Sequence, residues 1–282
     1  METRVKAMKT RAQGGFLLRL FAGGYDSPRR FHCERRGMHG GKERLVKRKL
    51  RFKRLLLKVS GEVLGGAHSS IDFGRVANFA AELREAVDAG SEIAVVVGGG
   101  NILRGYKASE KGVDRVAADC MGMLGTIINA LALQAALEHA GVEAHVMTAI
   151  TMEQFAEPYI RRQALDHLEN GRLVILAGGT GNPYFTTDTA AALRAVEMNA
   201  DVLLKGTKVD GIYTCDPVMD PAAKMIRSLS YIDVLKNDLR VMDATAVALC
   251  RENGIPIVVF NILKKGNLTR VLEGKRLGTI VK

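Results

Sequence analysis

There is no tryptophan in the chain, and cysteine and proline are scarce, four and six among 282 residues. Cys33, Cys120, Cys215 and Cys250 stand far apart with no CxxC pair, which suits neither a zinc ribbon nor a disulfide framework and fits the reduced thiols of a cytoplasmic protein. The Walker pattern GxxxxGK[ST] and the dinucleotide pattern GxGxxG are both missing, which counts against the P-loop and NAD readings. No uninterrupted apolar run approaches the ~20 residues that a membrane span needs. The short apolar segment at residues 16–22 is broken by Arg19, against a signal peptide. The expectation is a cytoplasmic protein with no membrane partner.

Positive charge is in excess, and it is unevenly placed. The formal net charge is +11, but residues 1–54 hold 17 Lys or Arg against 4 Asp or Glu, leaving 24 against 26 for residues 55–282. The remainder is nearly neutral, so any nucleic-acid partner belongs to the basic arm alone. Residues 1–52 mix Arg, Lys and Gly without a period of 2 or 3.6 and are read as a disordered extension. A targeting segment, a binding arm for nucleic acid or membrane, and residues upstream of a start such as Met38 all fit it; the last, a dispensable extension, is preferred. Residues 53–282 are read as a single domain.

From residue 53 onward, strand and helix patterns alternate. Arg54-Leu55-Leu56-Leu57-Lys58-Val59 and Ile93-Ala94-Val95-Val96-Val97 are continuous apolar runs, as in strands covered on both faces. Between them Asp72 is a good N-cap for a helix with Phe73, Val76, Phe79, Ala80, Leu83 and Val87 on one face and Gly90 as its stop. Further helices are predicted over residues 116–140, 152–169, 189–198, 232–236, 243–253 and 268–272. Strands are predicted at 144–147, 173–177, 201–205 and 257–260, with a final edge strand at 279–281. Such alternation builds an α/β fold around a mostly parallel, doubly covered sheet, with ligands beyond the strand C-termini.

Three predicted strand ends run into glycine: Lys58-Val59-Ser60-Gly61-Glu62, Gly98-Gly99-Gly100-Asn101, and Gly178-Gly179-Thr180-Gly181-Asn182-Pro183-Tyr184-Phe185-Thr186-Thr187-Asp188. One glycine turn is weak; three on one sheet edge describe a phosphate-rich cleft. In the third, glycines let backbone N–H groups approach a ligand, and two aromatics and three threonine hydroxyls suit a phosphate and a flat ring together. Lys58 ends its strand, where its charge reaches a transferred phosphoryl group or merely caps the sheet as an edge lysine. Asp119 near a helix start either favours the helix dipole or accepts ribose hydroxyls. Residues 205–217 again follow a strand, with Lys205, Lys208, Asp210, Tyr213 and Asp216 offering either a solvated turn or phosphate and base contacts.

Taken together, the three glycine turns, Arg104-Gly105, Thr207-Lys208-Val209-Asp210-Gly211, Asp216-Pro217 and the tract Asp119-Cys120-Met121-Gly122-Met123 resemble the bacterial uridylate kinases of the amino acid kinase family. The resemblance runs in order over residues 53–282. It implies a three-layer α/β/α sandwich, a homohexamer, and conversion of UMP to UDP with ATP and Mg²⁺. It implies an ATP site at Lys58, Val59, Ser60, Gly61, Gly100, Arg104, Thr207, Tyr213 and Asp216. A UMP site is implied at Gly99, Asp119, Thr180, Gly181, Asn182, Pro183, Tyr184, Phe185, Thr186 and Thr187.

The chemistry agrees with the residues. UMP is a phosphate monoester whose second pKa is ~6, so it is already anionic at neutral pH and needs no catalytic base. What the transfer needs is positive charge on the moving phosphoryl, from Lys58, Lys205 or Lys208, backbone N–H groups and Mg²⁺. Asp188 and Asp243 are expected to orient lysines or metal-bound water; no residue is assigned as a direct metal ligand. UTP is expected to inhibit through the UMP site. The segment at residues 62–70 is shorter and less glycine-rich than in relatives activated by GTP, which puts that activation in doubt. A relative acting on a carboxylate or carbamate, and a nucleic-acid-binding regulator using the arm, remain as alternatives.

Overall fold

The computed structural model describes residues 49–103, 112–215, 220, 222–237, 239 and 242–282. Residues 1–48 of the basic extension, Arg104 and Asp216 lie outside the described residues. The strands are β1 (Arg54–Val59), β2 (Glu92–Val97), β3 (Ala144–Thr148), β4 (Glu157–Pro158), β5 (Leu173–Ala177), β6 (Val202–Thr207), β7 (Ile212–Tyr213), β8 (Met225–Ile226), β9 (Ser228–Leu229), β10 (Ile257–Asn261) and β11 (Thr279–Val281). The helices are α1 (Phe73–Asp88), α2 (Arg115–His139), α3 (Arg161–Glu169), α4 (Thr187–Glu197), α5 (Tyr231–Lys236), α6 (Ala244–Glu252) and α7 (Asn267–Leu272).

Nine strands form one sheet in the order β4-β3-β5-β2-β1-β6-β10-β11-β9, parallel except for the β10–β11 pair, while β7 and β8 make a separate hairpin. Because successive strand residues face opposite sides, each apolar run supplies two cores. Leu55, Leu57 and Val59 pack with Val76, Phe79 and Leu83 of α1, Ile127 and Leu133 of α2, and Leu268 of α7. Leu56, Val96, Leu176 and Leu203 pack with Leu168 of α3, Ala191 and Ala195 of α4, Val234 of α5, and Val247 of α6. The result is the expected α/β/α sandwich. Since β5, β2, β1 and β6 are neighbours and parallel, their glycine-bearing C-termini open on one edge.

Asp72 caps α1 as read, its side chain accepting from the Arg75 N–H. Other expectations are corrected. The helix predicted over residues 152–169 begins only at Arg161, because Pro158 disfavours helical dihedrals at Glu157; Glu157 and Pro158 instead extend the sheet as β4. Strand β11 is not an edge, since β9 pairs outside it. The helix predicted over residues 116–140 is present as α2, but counting uninterrupted apolar runs did not show that it is, by length and composition, long and apolar enough to cross a membrane, with 25 residues and an 18-residue stretch of mean hydropathy 1.6. Its Gly, Thr and Asn residues interrupt a run without making the helix polar. One face of α2 packs in the core, and the fully buried Asn129 there is hydrogen-bonded.

Candidate active site

The site begins with strand parity. Lys58 lies beside Lys205 in the β1–β6 register, two residues after the paired Leu56 and Leu203, so both lysines point to the face that carries α3 to α6. The first turn of α4 brings Asp188 between them. Its Oδ2 accepts a hydrogen bond from Lys205 Nζ at 2.8 Å, and its Oδ1 lies 2.8 Å from Lys58 Nζ in an ion pair without hydrogen-bond alignment. All three side chains are largely buried, at 12%, 15% and 15% exposure for Lys58, Lys205 and Asp188. The edge-lysine reading of Lys58 fails, because β1 is flanked by β2 and β6.

Two ammonium groups and the Asp188 carboxylate share a partly dehydrated floor, with the Asp243 carboxylate close enough to act on Lys205. Burial works against charge on Asp188, but the Lys58 and Lys205 ammonium groups outweigh it and hold the carboxyl below its ordinary value. Burial pushes Lys205 below the usual lysine range, reinforced by Lys58 and opposed by Asp188 and Asp243. Dehydration and like charge thus make Lys205 ready to accept an anion.

Glycine lets the turns above this floor touch. After β1, Ser60 caps a short 3₁₀ turn, Gly61–Val63, its hydroxyl accepting from Glu62 N at 3.4 Å. A Cβ on Gly61 would lie 2.5 Å from Gly98 O. On Gly99 it would lie 2.6 Å from Gly122 O of α2. Asn129 of α2 donates to Gly98 O at 2.7 Å and exchanges hydrogen bonds with Asn101, while Thr126 Oγ1 accepts from Gly178 N at 2.8 Å. Helix α2 therefore holds both the β2 and the β5 turns. Sequence reasoning missed Asn129 and Thr126; two polar residues inside an apolar helix were the available signal.

In the β5 loop Gly178, Gly179, Gly181 and also Tyr184 have positive φ, with Tyr184 at 70°. A bulky residue there is strained and needs support. Asp119 gives it, Oδ2 accepting from Tyr184 N at 2.9 Å and from Arg115 Nε at 2.8 Å, with the Arg115 guanidinium 5.6 Å from the Tyr184 ring. Both bonds fall on Oδ2, leaving Oδ1 for a donor such as a ribose hydroxyl. Tyr184 and Phe185 are 66% and 54% exposed at the loop's crest. Thr180 and Asn182 fold on themselves through a 3.2 Å bond from Asn182 N to Thr180 Oγ1, with Pro183 next in the chain.

Not all three threonine hydroxyls in the loop are free for a ligand. Thr186 is the N-cap of α4, its hydroxyl accepting from the N–H groups of Asp188 and Thr189 and donating to Asp243. Thr187 is the first helical residue. Asp243 in turn caps α6 through Ala246 N at 2.7 Å and accepts from Thr189 Oγ1 at 2.9 Å. Its carboxylate ties α4 to α6, which fixes Asp188, rather than bonding a lysine directly.

Beyond β6, Thr207 Oγ1 donates to Val209 O at 2.7 Å, Lys208 Nζ to Glu62 Oε2 at 2.9 Å, and Tyr213 sits half-buried in β7. Lys208 thus reaches across to the β1 turn. Gly99, Asp119 and the β5 loop lie to one side of β1. Ser60, Gly61, Thr207, Lys208 and Tyr213 belong to β1 and the side beyond it, and Gly100 closes the β2 turn next to them. One edge offers two glycine-lined halves with the lysine pair at their junction.

Residues 53–261 match the amino acid kinase family. Among solved structures, the chain is similar to a UMP kinase from Bacillus anthracis, with 44% identity, a TM-score of 0.79, and coverage of 82% of this chain and 96% of that one. It is similar to a UMP kinase from Ureaplasma parvum at 39% identity and TM-score 0.77, over 83% and 100% of the two chains. A uridylate kinase from Archaeoglobus fulgidus matches at 28% identity and TM-score 0.62, over 81% and 99%.

Proposed function

This chain belongs to the amino acid kinase family, and on that premise we propose that it is a UMP kinase, transferring the γ-phosphoryl group of ATP to UMP to give UDP. The observation that carries the reading is the Lys58–Asp188–Lys205 floor at the junction of two glycine-lined halves. UMP takes the half made by Gly99, Asp119 and the β5 loop, with Tyr184 or Phe185 available to the uracil ring. ATP takes the half made by Ser60, Gly61, Gly100, Thr207 and Tyr213, completed in the same reading by Arg104 and Asp216. Two UMP kinases at 44% and 39% identity over most of their lengths support this assignment.

The acceptor arrives as an anion, so the protein's task is to align it and neutralise charge on the moving phosphoryl. Lys58 and Lys205 supply that charge from adjacent strands. Asp188 keeps the two ammonium groups side by side before substrate binds and yields part of their attraction to the phosphoryl oxygens. Lys208, paired with Glu62, is placed to meet the phosphates of the donor. Both oxygens of Asp188 already face ammonium groups, so the floor does not make a magnesium site of its own. Mg²⁺ enters as part of the MgATP substrate, held by phosphate oxygens.

UTP, sharing uracil and ribose with UMP, inhibits from the acceptor half. Self-association into a homohexamer is supported by an apolar stripe on α2, where Met121, Leu124 and Ile128 are 46%, 45% and 49% exposed. The free thiols Cys120, Cys215 and Cys250 agree with a cytoplasmic setting. Initial rates with UMP, CMP, dTMP, aspartate, N-acetylglutamate and carbamate as acceptors test the assignment. UMP should be fastest; preferential phosphorylation of a small acid would move the chain to another branch of the family.

A further inference from the structure

Away from the cleft, at the β4 edge of the sheet, three side chains from three elements converge. His145 of β3 shares the sheet face of Met147, the face on which α3 packs. Glu157 of β4 stands opposite Met147, and His167 comes from the last turn of α3. His145 Nδ1 lies 2.7 Å from Glu157 Oε1, and His167 Nε2 lies 3.2 Å from Glu157 Oε2. The two imidazoles stack with centroids 3.7 Å apart at 23°. One ligand atom from each residue falls within 4.8 Å of the others.

We propose that His145 Nδ1, His167 Nε2 and the Glu157 carboxylate form a zinc site that clips β4 and α3 to β3. Two imidazoles and a carboxylate with a fourth position for water are a donor set that suits Zn²⁺ better than Mg²⁺ or Ca²⁺, which prefer oxygen ligands. Zn–N and Zn–O distances of about 2.0–2.2 Å require the two stacked imidazoles to rotate out of their stack so that both lone pairs meet at one point beside the Glu157 carboxylate. His145 carries the outer partner that a zinc-bound imidazole uses, its Nε2 lying 3.2 Å from Glu143 Oε1. His167 has none, its Nδ1 being buried without a partner, so His145 is the stronger anchor. A cavity lined by Glu157, Ile160, Arg162, Gln163, Asp166 and His167 gives the ion a path from solvent.

Around the site, Glu143 adds negative charge, while Arg172 is engaged by Asp166 at 2.5 Å and lies 4.0 Å from Glu143. Arg162 is the other cation near the cavity.

The test is a titration of the metal-free full chain, without nucleotide, first with Co²⁺ and then with Zn²⁺. One Co²⁺ per chain should give the strong visible absorption of a tetrahedral site, discharged by one Zn²⁺. The band should vanish in His145→Gln and Glu157→Gln. Glu143→Gln, a change at an exposed residue that leaves all three ligands in place, should weaken binding about 10- to 100-fold. Zinc at a hundred times its dissociation constant should shift the wild-type folding equilibrium about a hundredfold, a shift absent from His145→Gln. Failure of the wild-type chain to bind Co²⁺ or Zn²⁺ overturns the proposal. So does undiminished one-to-one binding in His145→Gln and Glu143→Gln, which would place the ion on other residues such as His32, Cys33 or His39.

Discussion

Asp188 holds two cations in a setting where neither is well hydrated. Replacing it by Asn leaves the two ammonium groups facing one another, and breaking a buried ion pair from one side costs about 3–5 kcal/mol, to be read from urea unfolding at neutral pH. The folded carboxyl titrates below its ordinary 3.8, so its contribution is full above that value and is lost as pH falls through the lower folded pKa. The stability gap between wild type and Asp188→Asn should therefore close at strongly acid pH. Lys205 is also shifted down, below its ordinary 10.5, which for a lysine disfavours the charged form. Its loss of charge should end activity on the basic side earlier than an ordinary lysine would, and Lys205→Arg, always charged, should remove that limb from the pH profile of kcat. Lys58 and the glycines could be read as local pattern at a strand end. The pairing of Lys58 with Lys205 was not legible, because it depends on which strands become neighbours and on their register.

At the level of elements, α2 carries more of the site than its sequence suggested. Its bounds were readable to within a residue from apolar content and Gly141, yet its role lies in Asn129 and Thr126, which tie two separate glycine turns to one rigid helix. Asn129→Ala would remove the donor to Gly98 O and Asn101 Oδ1, at a cost of about 1–3 kcal/mol. Because the turn it supports lines both halves of the cleft, KM for UMP and ATP should rise together in steady-state kinetics. The misplaced start of α3 teaches the converse. A helical period before Pro158 was outweighed by backbone restriction at Glu157, and the resulting β4 is what brings Glu157 to the two histidines.

For the molecule as a whole, the layered α/β/α fold was legible because continuous apolar runs alternate with amphipathic ones. The two-residue strands β4, β7, β8 and β9 were not, being too short to carry a period. The apolar stripe on α2 belongs to the same scale: on the proposal that the chain self-associates through it, Leu124→Glu should give smaller species than the wild type by light scattering after size exclusion, without lowering the helical content of the chain. A chain beginning near Arg51 should keep its kinase rate, since the site residues all lie after it. Any salt-sensitive shift of nucleic acid should vanish with the arm. The kinase activity turns on the lysine pair between β1 and β6 stabilising a phosphoryl group that passes from ATP to UMP. The most direct measurement is single-turnover phosphorylation of UMP by Lys58→Ala beside its equilibrium affinity for UMP. The expected rate is about 10²- to 10³-fold lower with UMP affinity and folding unchanged; a variant that phosphorylates UMP at the wild-type rate would contradict the role given to Lys58.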